Sequence, residues 1–171
     1  MKCMQLTRYV RRLRTLLQMA GVALLCSGCG WQLQGAHHVA ANLQPLYLEF
    51  VDAHSEFSRA LQQRLALAGV QLVDDASQAQ VVLQVNRDNR GHRVISVSAR
   101  NTPQEYEVFY DVEISLKEKS GAVLLLEPLA IAQALTYDET AALAKQREEQ
   151  LLCETMAAEL ADQLLRQIRR L

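Results

Sequence analysis

The sequence lacks the many cysteines of a disulfide-stabilised domain and the long apolar runs of a membrane-spanning protein. Its 171 residues include four cysteines, and no repeat, low-complexity tract or Pro/Ser-rich linker divides it. The apolar segment 16–25 has only ten residues. As a helix, ten residues span about 15 Å, whereas the hydrocarbon layer of a bilayer is about 30 Å thick. We therefore expect one folded domain of ordinary size and no stable transmembrane anchor in that segment.

Acidic residues are missing from the N-terminal end of the chain. Residues 1–28 carry five basic side chains and no acidic one, whereas residues 29–171 carry thirteen basic and nineteen acidic side chains. The second part therefore has a net charge of −6, without the basic excess of a general nucleic-acid-binding protein. The basic stretch followed by an apolar segment predicts a secretory signal peptide over residues 1–28.

The end of this segment resembles a bacterial lipobox. The small residues Ser27 and Gly28 stand before Cys29, in the order Cys26-Ser27-Gly28-Cys29. The resemblance implies that Cys29 becomes the first residue of the mature protein and carries a thioether-linked diacylglycerol and an N-acyl chain. Several acyl chains hold a protein to a membrane durably. Gly30 follows, where an aspartate would resemble the signal for inner-membrane retention, so we expect anchoring in the outer membrane, on its periplasmic face.

The mature chain has too few cysteines for an internal disulfide. Cys3 and Cys26 belong to the predicted signal peptide, and Cys29 is predicted to be lipidated, which leaves Cys153 alone. We expect Cys153 to be a small buried residue, since unpaired cysteines usually are. The stability of the domain must then come from its apolar core.

Alternating apolar residues predict several strands in the mature chain. The clearest period-two run covers residues 106–116 and predicts a half-buried antiparallel strand. Residues 89–91, Asn-Arg-Gly, predict a turn or a local break, and Pro128 predicts a bulge or an edge position in the last strand. The predicted strands are residues 46–51, 81–85, 94–99, 106–116 and 123–137, with a short extended piece at 70–73 and turns at 101–103 and 119–121.

Two helices with apolar stripes are also predicted. The first covers residues 55–68, with Ser55 as its N-cap and Gly69 after its end. The second begins at Asp138, which we expect to cap it, and has roughly thirty residues and a length of about 45 Å. This length exceeds what a small sheet covers, so we expect part of the helix to face a partner. Its apolar residues recur every four positions, at Leu152, Met156, Leu160, Leu164 and Ile168.

The predicted order of elements, β-α-β-β-β-α, favours an α+β fold. Two helices with apolar stripes and a sheet with one apolar face bury each other best as a two-layer sandwich. We expect a mainly antiparallel or mixed sheet of about four strands, packed by two helices, in a single domain that spans residues 29–171.

No catalytic constellation stands out in the sequence. It has no G-x-S-x-G, H-E-x-x-H, P-loop or G-x-G-x-x-G motif. His37 and His38 are adjacent rather than four residues apart, and no nearby carboxylate or thiol completes a metal site. We therefore expect no enzyme, no metal and no cofactor beyond the lipid on Cys29.

One basic stretch stands out from the acidic background. Residues 87–100 contain Arg87, Arg90, Arg93 and Arg100 but a single acidic residue, Asp88. A strand–turn–strand arrangement would bring these arginines near one end of the sheet, and guanidinium groups bind phosphates in a bidentate manner. A solvated loop whose arginines make ordinary surface ion pairs fits this stretch equally well.

Three short motifs are spread over the mature chain. Residues 29–35 read Cys-Gly-Trp-Gln-Leu-Gln-Gly, and residues 96–101 read Ser-Val-Ser-Ala-Arg-Asn, followed by Glu-Tyr-Glu at 105–107. Tyr137-Asp138 and the Ala-Leu-Ala-Lys of residues 142–145 form the third. Together, and in this order, they resemble the LPS-assembly lipoprotein family, LptE.

The resemblance implies a function by contact rather than by turnover. Proteins of this family are similar to a plug inside the large outer-membrane barrel LptD, in a 1:1 complex; they assist assembly of the barrel and help lipopolysaccharide reach the outer leaflet. The family's lipopolysaccharide-binding basic positions fall on Arg100 and Lys145, with Arg87, Arg90 and Arg93 as further candidates. The alternative for Lys145 is an exposed residue paired with Glu149 at i,i+4.

Two other functions fit the sequence less well. One is an accessory lipoprotein that regulates a peptidoglycan enzyme or serves another envelope transport complex. The other is a small periplasmic hydrolase. Co-purification with a β-barrel protein would favour the function implied by the LptE resemblance, and crosslinking to a cell-wall synthase would favour the accessory lipoprotein.

Overall fold

The computed structural model describes residues 41–171. The predicted signal peptide, the lipidation site Cys29 and the adjacent histidines His37 and His38 lie outside the described residues. The helices and strands are β1 (Leu46–Glu49), α1 (Glu56–Leu67), β2 (Leu72–Val73), β3 (Val81–Val97), β4 (Pro103–Glu118), β5 (Val123–Thr136) and α2 (Ala142–Ile168).

The strands form one mixed sheet with the order β2-β1-β3-β4-β5. Strand β1 runs parallel to β2 and β3, whereas β4 is antiparallel to both β3 and β5. The predicted α+β two-layer fold is confirmed, and the fifth strand is the two-residue β2, which lies within the predicted extended piece. Pro128 lies on the edge strand β5 in regular register with Glu113, so it marks an edge position and not a bulge.

Both helices pack on the same face of the sheet through one apolar core. Residues of α1, α2, β3 and β4 share this core, and the side chains at its centre have at most 2% of their surface exposed. They are Phe57, Leu61, Leu65, Leu83, Tyr110, Ile114, Leu116, Met156, Leu160, Leu164 and Ile168. The apolar residues that recur every four positions in α2 therefore face the core from Met156 onward, as the periodicity predicts.

The helix ends follow the predicted signals closely. The Ser55 hydroxyl accepts a 3.0 Å hydrogen bond from the Ser58 N–H at the start of α1, and Gly69 after its end has a φ of +69°, which favours glycine. Asp138 caps a short 3-10 turn instead of α2 itself, since its carboxylate accepts a 2.9 Å bond from the Thr140 N–H. No helix in the described part of the chain is long and apolar enough to cross a membrane.

The predicted break at residues 89–91 is wrong, because β3 continues through it. Gly91 pairs with Phe109 on β4, and a Cβ atom at Gly91 would lie 2.9 Å from the Cζ atom of that ring. Here glycine leaves room for the Phe109 ring of the neighbouring strand and does not form a turn. The chain reverses at residues 98–102, where Asn101 has a φ of +60°, in agreement with the predicted second turn.

Candidate functional site

A register shift in β3 decides which side chains of the basic stretch face the helices. Between Val85 and Arg87 the pairing with β4 slips by one residue, a β-bulge. Before it, Val81, Leu83 and Val85 point into the core. A one-residue slip moves the following side chains to the opposite face. Even-numbered residues such as His92 then face the helices.

The arginines of the basic stretch are consequently split between two faces of the sheet. Arg87 Nε lies 3.3 Å from Asp111 Oδ2, and Arg93 pairs with Glu107, both on the face away from the helices. Arg90 Nε lies 3.3 Å from Glu56 Oε2 at the start of α1. The prediction that a strand–turn–strand gathers all four arginines at one end of the sheet is therefore wrong: they lie along one strand and at its tip.

Arg90 is held between the sheet and both helices. Burial disfavours its charge, but a hydrogen bond with Cys153 and the carboxylate of Glu56 outweigh that effect, so the pKa of Arg90 is raised. Cys153 is buried, as predicted, with 2% of its surface exposed. Burial raises the pKa of the Cys153 thiol, and its contact with Arg90 only partly offsets this rise. Arg90 is thus bound to internal partners.

Arg100 is presented at the tip of the β3–β4 hairpin. The turn is fixed by the Ser98 hydroxyl, which accepts bonds of 3.2 Å from the N–H groups of both Arg100 and Thr102. The Arg100 side chain is exposed, and it makes no ion pair with any residue in the described part of the chain. Its guanidinium group is therefore available to an external anion.

Lys145 lies in the first turns of α2 and keeps only 20% of its side chain exposed. Its Nζ atom is 2.8 Å from Glu148 Oε2, at i,i+3, so the pair with Glu149, given above as the alternative for Lys145, is not formed. Glu149 instead accepts a contact from across the fold: its Oε1 atom is 2.8 Å from His92 Nδ1 on β3.

Lys145 opens onto a small cavity of about 190 Å³ between the hairpin and α2. Two edge-to-face ring contacts form one side of it, His92 with Tyr106 at 5.0 Å and Tyr106 with Tyr137 at 5.1 Å between ring centres. The cavity is lined by His92, Tyr106, Leu135, Tyr137, Ala142, Lys145, Gln146 and Glu149. It combines one ammonium group, an imidazole and two phenols, all possible hydrogen-bond donors to an anion, with the Glu149 carboxylate, which contacts the imidazole.

The sequence analysis did not assign His92, Tyr106 or Tyr137 to a binding site, although the two tyrosines stand in the motifs that resemble the family. His92 is separated from Glu149 by 57 residues, and only the strand register brings them together. The available signal was the cation-rich stretch itself, because His92 lies within it.

The N-terminal part of α2 extends beyond the core, as its length predicts. Leu143 and Leu151 have 80% and 63% of their surfaces exposed, whereas the helix is buried regularly from Cys153 onward. The hairpin tip is likewise apolar, since Val94, Ile95 and Val97 are about half exposed. Exposed aliphatic residues therefore accompany both Arg100 and Lys145.

Comparison with known proteins assigns this fold and these residues to one family. The family model described as "LptE: Lipopolysaccharide-assembly" matches residues 43–168. The LPS-assembly lipoprotein LptE of Pectobacterium atrosepticum is 29% identical over 148 residues, which cover 85% of this chain and 79% of that protein. The protein of the same name from Yersinia enterocolitica is 28% identical over 159 residues, which cover 92% of this chain and 76% of that protein.

Solved structures agree with this assignment. The rare lipoprotein B from Shewanella oneidensis superposes with a TM-score of 0.63 at 29% identity, over 72% of this chain and 92% of that one. A lipoprotein B from Nitrosomonas europaea shares the fold with a TM-score of 0.65 at 23% identity, over 82% of this chain and 90% of that one. The chain belongs to the LptE family of lipopolysaccharide-assembly lipoproteins.

Proposed function

We propose that this protein is a non-enzymatic outer-membrane lipoprotein that plugs the β-barrel LptD, assists its assembly and binds lipopolysaccharide on its way to the outer leaflet. The observation that carries the proposal is the family match, which spans nearly the whole described domain, from residue 43 to 168. The protein would act as one subunit of a 1:1 complex and would work through its surfaces.

The proposed anchor keeps the domain close to the membrane. We infer that Cys29 carries a diacylglycerol and an N-acyl chain, in keeping with its lipobox-like sequence. Eleven residues, 30–40, lie between Cys29 and Ala41, the first described residue, which makes twelve steps from Cα to Cα. A fully extended chain of that length reaches about 40 Å, so the domain cannot leave the periplasmic surface of its membrane.

Arg100 and Lys145 are the proposed contacts for lipopolysaccharide. Lipid A presents phosphates next to acyl chains, and both cations here lie beside exposed aliphatic residues. The free guanidinium of Arg100 suits a bidentate phosphate contact, while Lys145 provides a point charge at the mouth of a small cavity. Arg87, Arg90 and Arg93 are secondary candidates, because the resemblance to the family implies Arg100 and Lys145 only, and these three arginines are split between two faces of the sheet.

A charge-reversal experiment tests this assignment. The double variant Arg100→Asp/Lys145→Asp should bind purified rough-type lipopolysaccharide at least about tenfold more weakly than the wild type, since two phosphate contacts become repulsive. The matched control is Arg166→Asp/Arg170→Asp, which makes the same change in net charge. Both control residues are exposed, and Arg166 lies about 31 Å along α2 from Lys145.

The result is decisive when both proteins unfold at similar urea concentrations. If Arg100→Asp/Lys145→Asp binds weakly and the control variant does not, the result supports Arg100 and Lys145 as the contacts. Equal losses in both variants would mean that binding follows net charge only. Unchanged binding would make the two residues ordinary surface cations.

A further inference from the structure

A single side-chain contact joins the strand that leads to Arg100 with the helix turn that carries Lys145. His92 Nδ1 and Glu149 Oε1 lie 2.8 Å apart, across 57 residues of sequence. His92 precedes Arg100 by eight residues on the hairpin, and Glu149 follows Lys145 by four on α2. This His92–Glu149 contact therefore lies at the junction of the two elements that carry the proposed phosphate contacts.

Lys145 has two carboxylates within reach along its own helix. Residues three and four positions apart are neighbours on a helix surface, so both Glu148 and Glu149 are possible ion-pair partners. Only Glu148 is used, at 2.8 Å. The Glu149 carboxylate is turned toward the hairpin by His92 instead.

The choice of partner decides the charge that an incoming anion meets. In direct contact Lys145 has one carboxylate, Glu148, an exposed partner that is easily displaced, while Asp138 interacts with it at longer range. A second carboxylate in direct contact would make the group more negative, and a phosphate would have to displace both contacts. The cavity beside Lys145 is lined by Glu149, so the direction of that one side chain changes its potential.

We propose that His92 is a positioning residue for the anion site at Lys145: by holding Glu149 against the hairpin, it keeps this second carboxylate on the His92 side of the cavity and out of contact with the Lys145 ammonium. The inference rests on the proposed lipopolysaccharide binding and deepens it. His92 does not itself need to touch the ligand. The neutral imidazole with a proton on Nδ1 is sufficient, since it donates to the carboxylate.

This role and a merely structural one predict different effects of a second substitution. Neutralising Glu149 removes a negative charge from the cavity lining and favours an anion in either case. If His92 keeps Glu149 away from Lys145, this gain in affinity is larger once His92 is lost. If the contact is only a latch between β3 and α2, Glu149→Gln raises the affinity by the same factor with and without His92.

The test measures binding of rough-type lipopolysaccharide to the full lipoprotein in detergent. His92→Ala should weaken binding about three- to fivefold, the upper part of the range for one exposed ion pair. His92→Asn, which keeps a donor near the Nδ1 position, should stay closer to the wild type. Adding Glu149→Gln to His92→Ala should return the affinity to within about twofold of the wild type.

Each outcome decides the proposal. It is supported by loss in His92→Ala together with a gain from Glu149→Gln that is larger in the His92→Ala background than in the wild type. It is overturned if His92→Ala binds like the wild type, or if Glu149→Gln raises the affinity by the same factor in both backgrounds. His92 is half exposed, so the variants are expected to fold, which urea unfolding verifies. Failure of the wild type itself to bind would instead contradict the proposed function.

Discussion

The backbone N–H of Phe57 donates a 3.2 Å hydrogen bond to the hydroxyl oxygen of Tyr110, which joins the first turn of α1 to strand β4. Tyr110 has no exposed surface, and its hydroxyl also bonds Asp88. Burial, followed by the contact with Asp88, raises the pKa of Tyr110 well above its usual value, so the phenol stays protonated. A single hydroxyl thus satisfies two polar groups at the start of the helix.

Replacing Tyr110 by phenylalanine should lower the free energy of unfolding by about 1–3 kcal/mol, because the Phe57 N–H and the Asp88 carboxylate both lose a partner in a buried setting. Urea unfolding followed by circular dichroism measures this difference. Tyr47→Phe is the control, since Tyr47 is only half buried. Equal stability of the two variants would show that the hydroxyl contributes nothing net.

The two ends of α2 should respond very differently to truncation. Leu160 is fully buried and Leu151 is 63% exposed on the same helix. Leu160→Ala should cost about 2–5 kcal/mol through lost burial and a residual cavity, whereas Leu151→Ala should change stability by less than about 0.5 kcal/mol. The urea midpoints give both values. A large loss in Leu151→Ala would contradict the exposure of this part of the helix.

The thiol of Cys153 should resist alkylation in the folded protein. Burial raises its pKa, so less thiolate is present at a given pH, and the side chain is also shielded from the reagent. Mass spectrometry after iodoacetamide treatment at about pH 8 should find Cys153 unmodified in buffer and modified in concentrated urea. Similar rates under both conditions would mean that the α2 packing opens readily.

The exposed apolar part of α2 should matter for the partner and not for the fold. Leu143→Ser/Leu151→Ser should leave the free energy of unfolding, measured in urea, within about 0.5 kcal/mol of the wild type, as expected of surface positions. We expect the same variant to recover less LptD on affinity purification, since large exposed apolar residues mark contact surfaces. Leu67→Ser, at the end of α1 and 70% exposed, is the control. Full recovery of the barrel by the double variant would place the interface elsewhere.

The strongly periodic segments were predictable from the sequence. The Ser55 cap, the apolar stripe of α1 and the period-two pattern of β4 each reflect a local preference and the burial of one face. Strand β3 was predicted only as two separate pieces, 81–85 and 94–99, because the residues between them carry charged side chains on both faces after the bulge at residues 85–87. The hydropathy of this segment therefore does not alternate. Gly91 suggests a turn in the sequence, whereas in the structure it makes room for the Phe109 ring.

The candidate site was predictable only in part. Resemblance to a family located Arg100 and Lys145, but the choice of Glu148 over Glu149 as the partner of Lys145 depends on His92. That contact requires the register of β3 and the placement of α2, neither of which local sequence specifies. The separation of Arg87 and Arg93 from Arg90 likewise follows from the bulge, which a count of basic residues cannot reveal.

The most direct test of the account is affinity purification of the tagged protein, expressed at its native level, from detergent-solubilised outer membranes, followed by identification and quantification of bound proteins by mass spectrometry. We predict one LptD barrel per copy of this protein, together with bound lipopolysaccharide. Recovery without any barrel, or with a cell-wall synthase in its place, would contradict the proposed function.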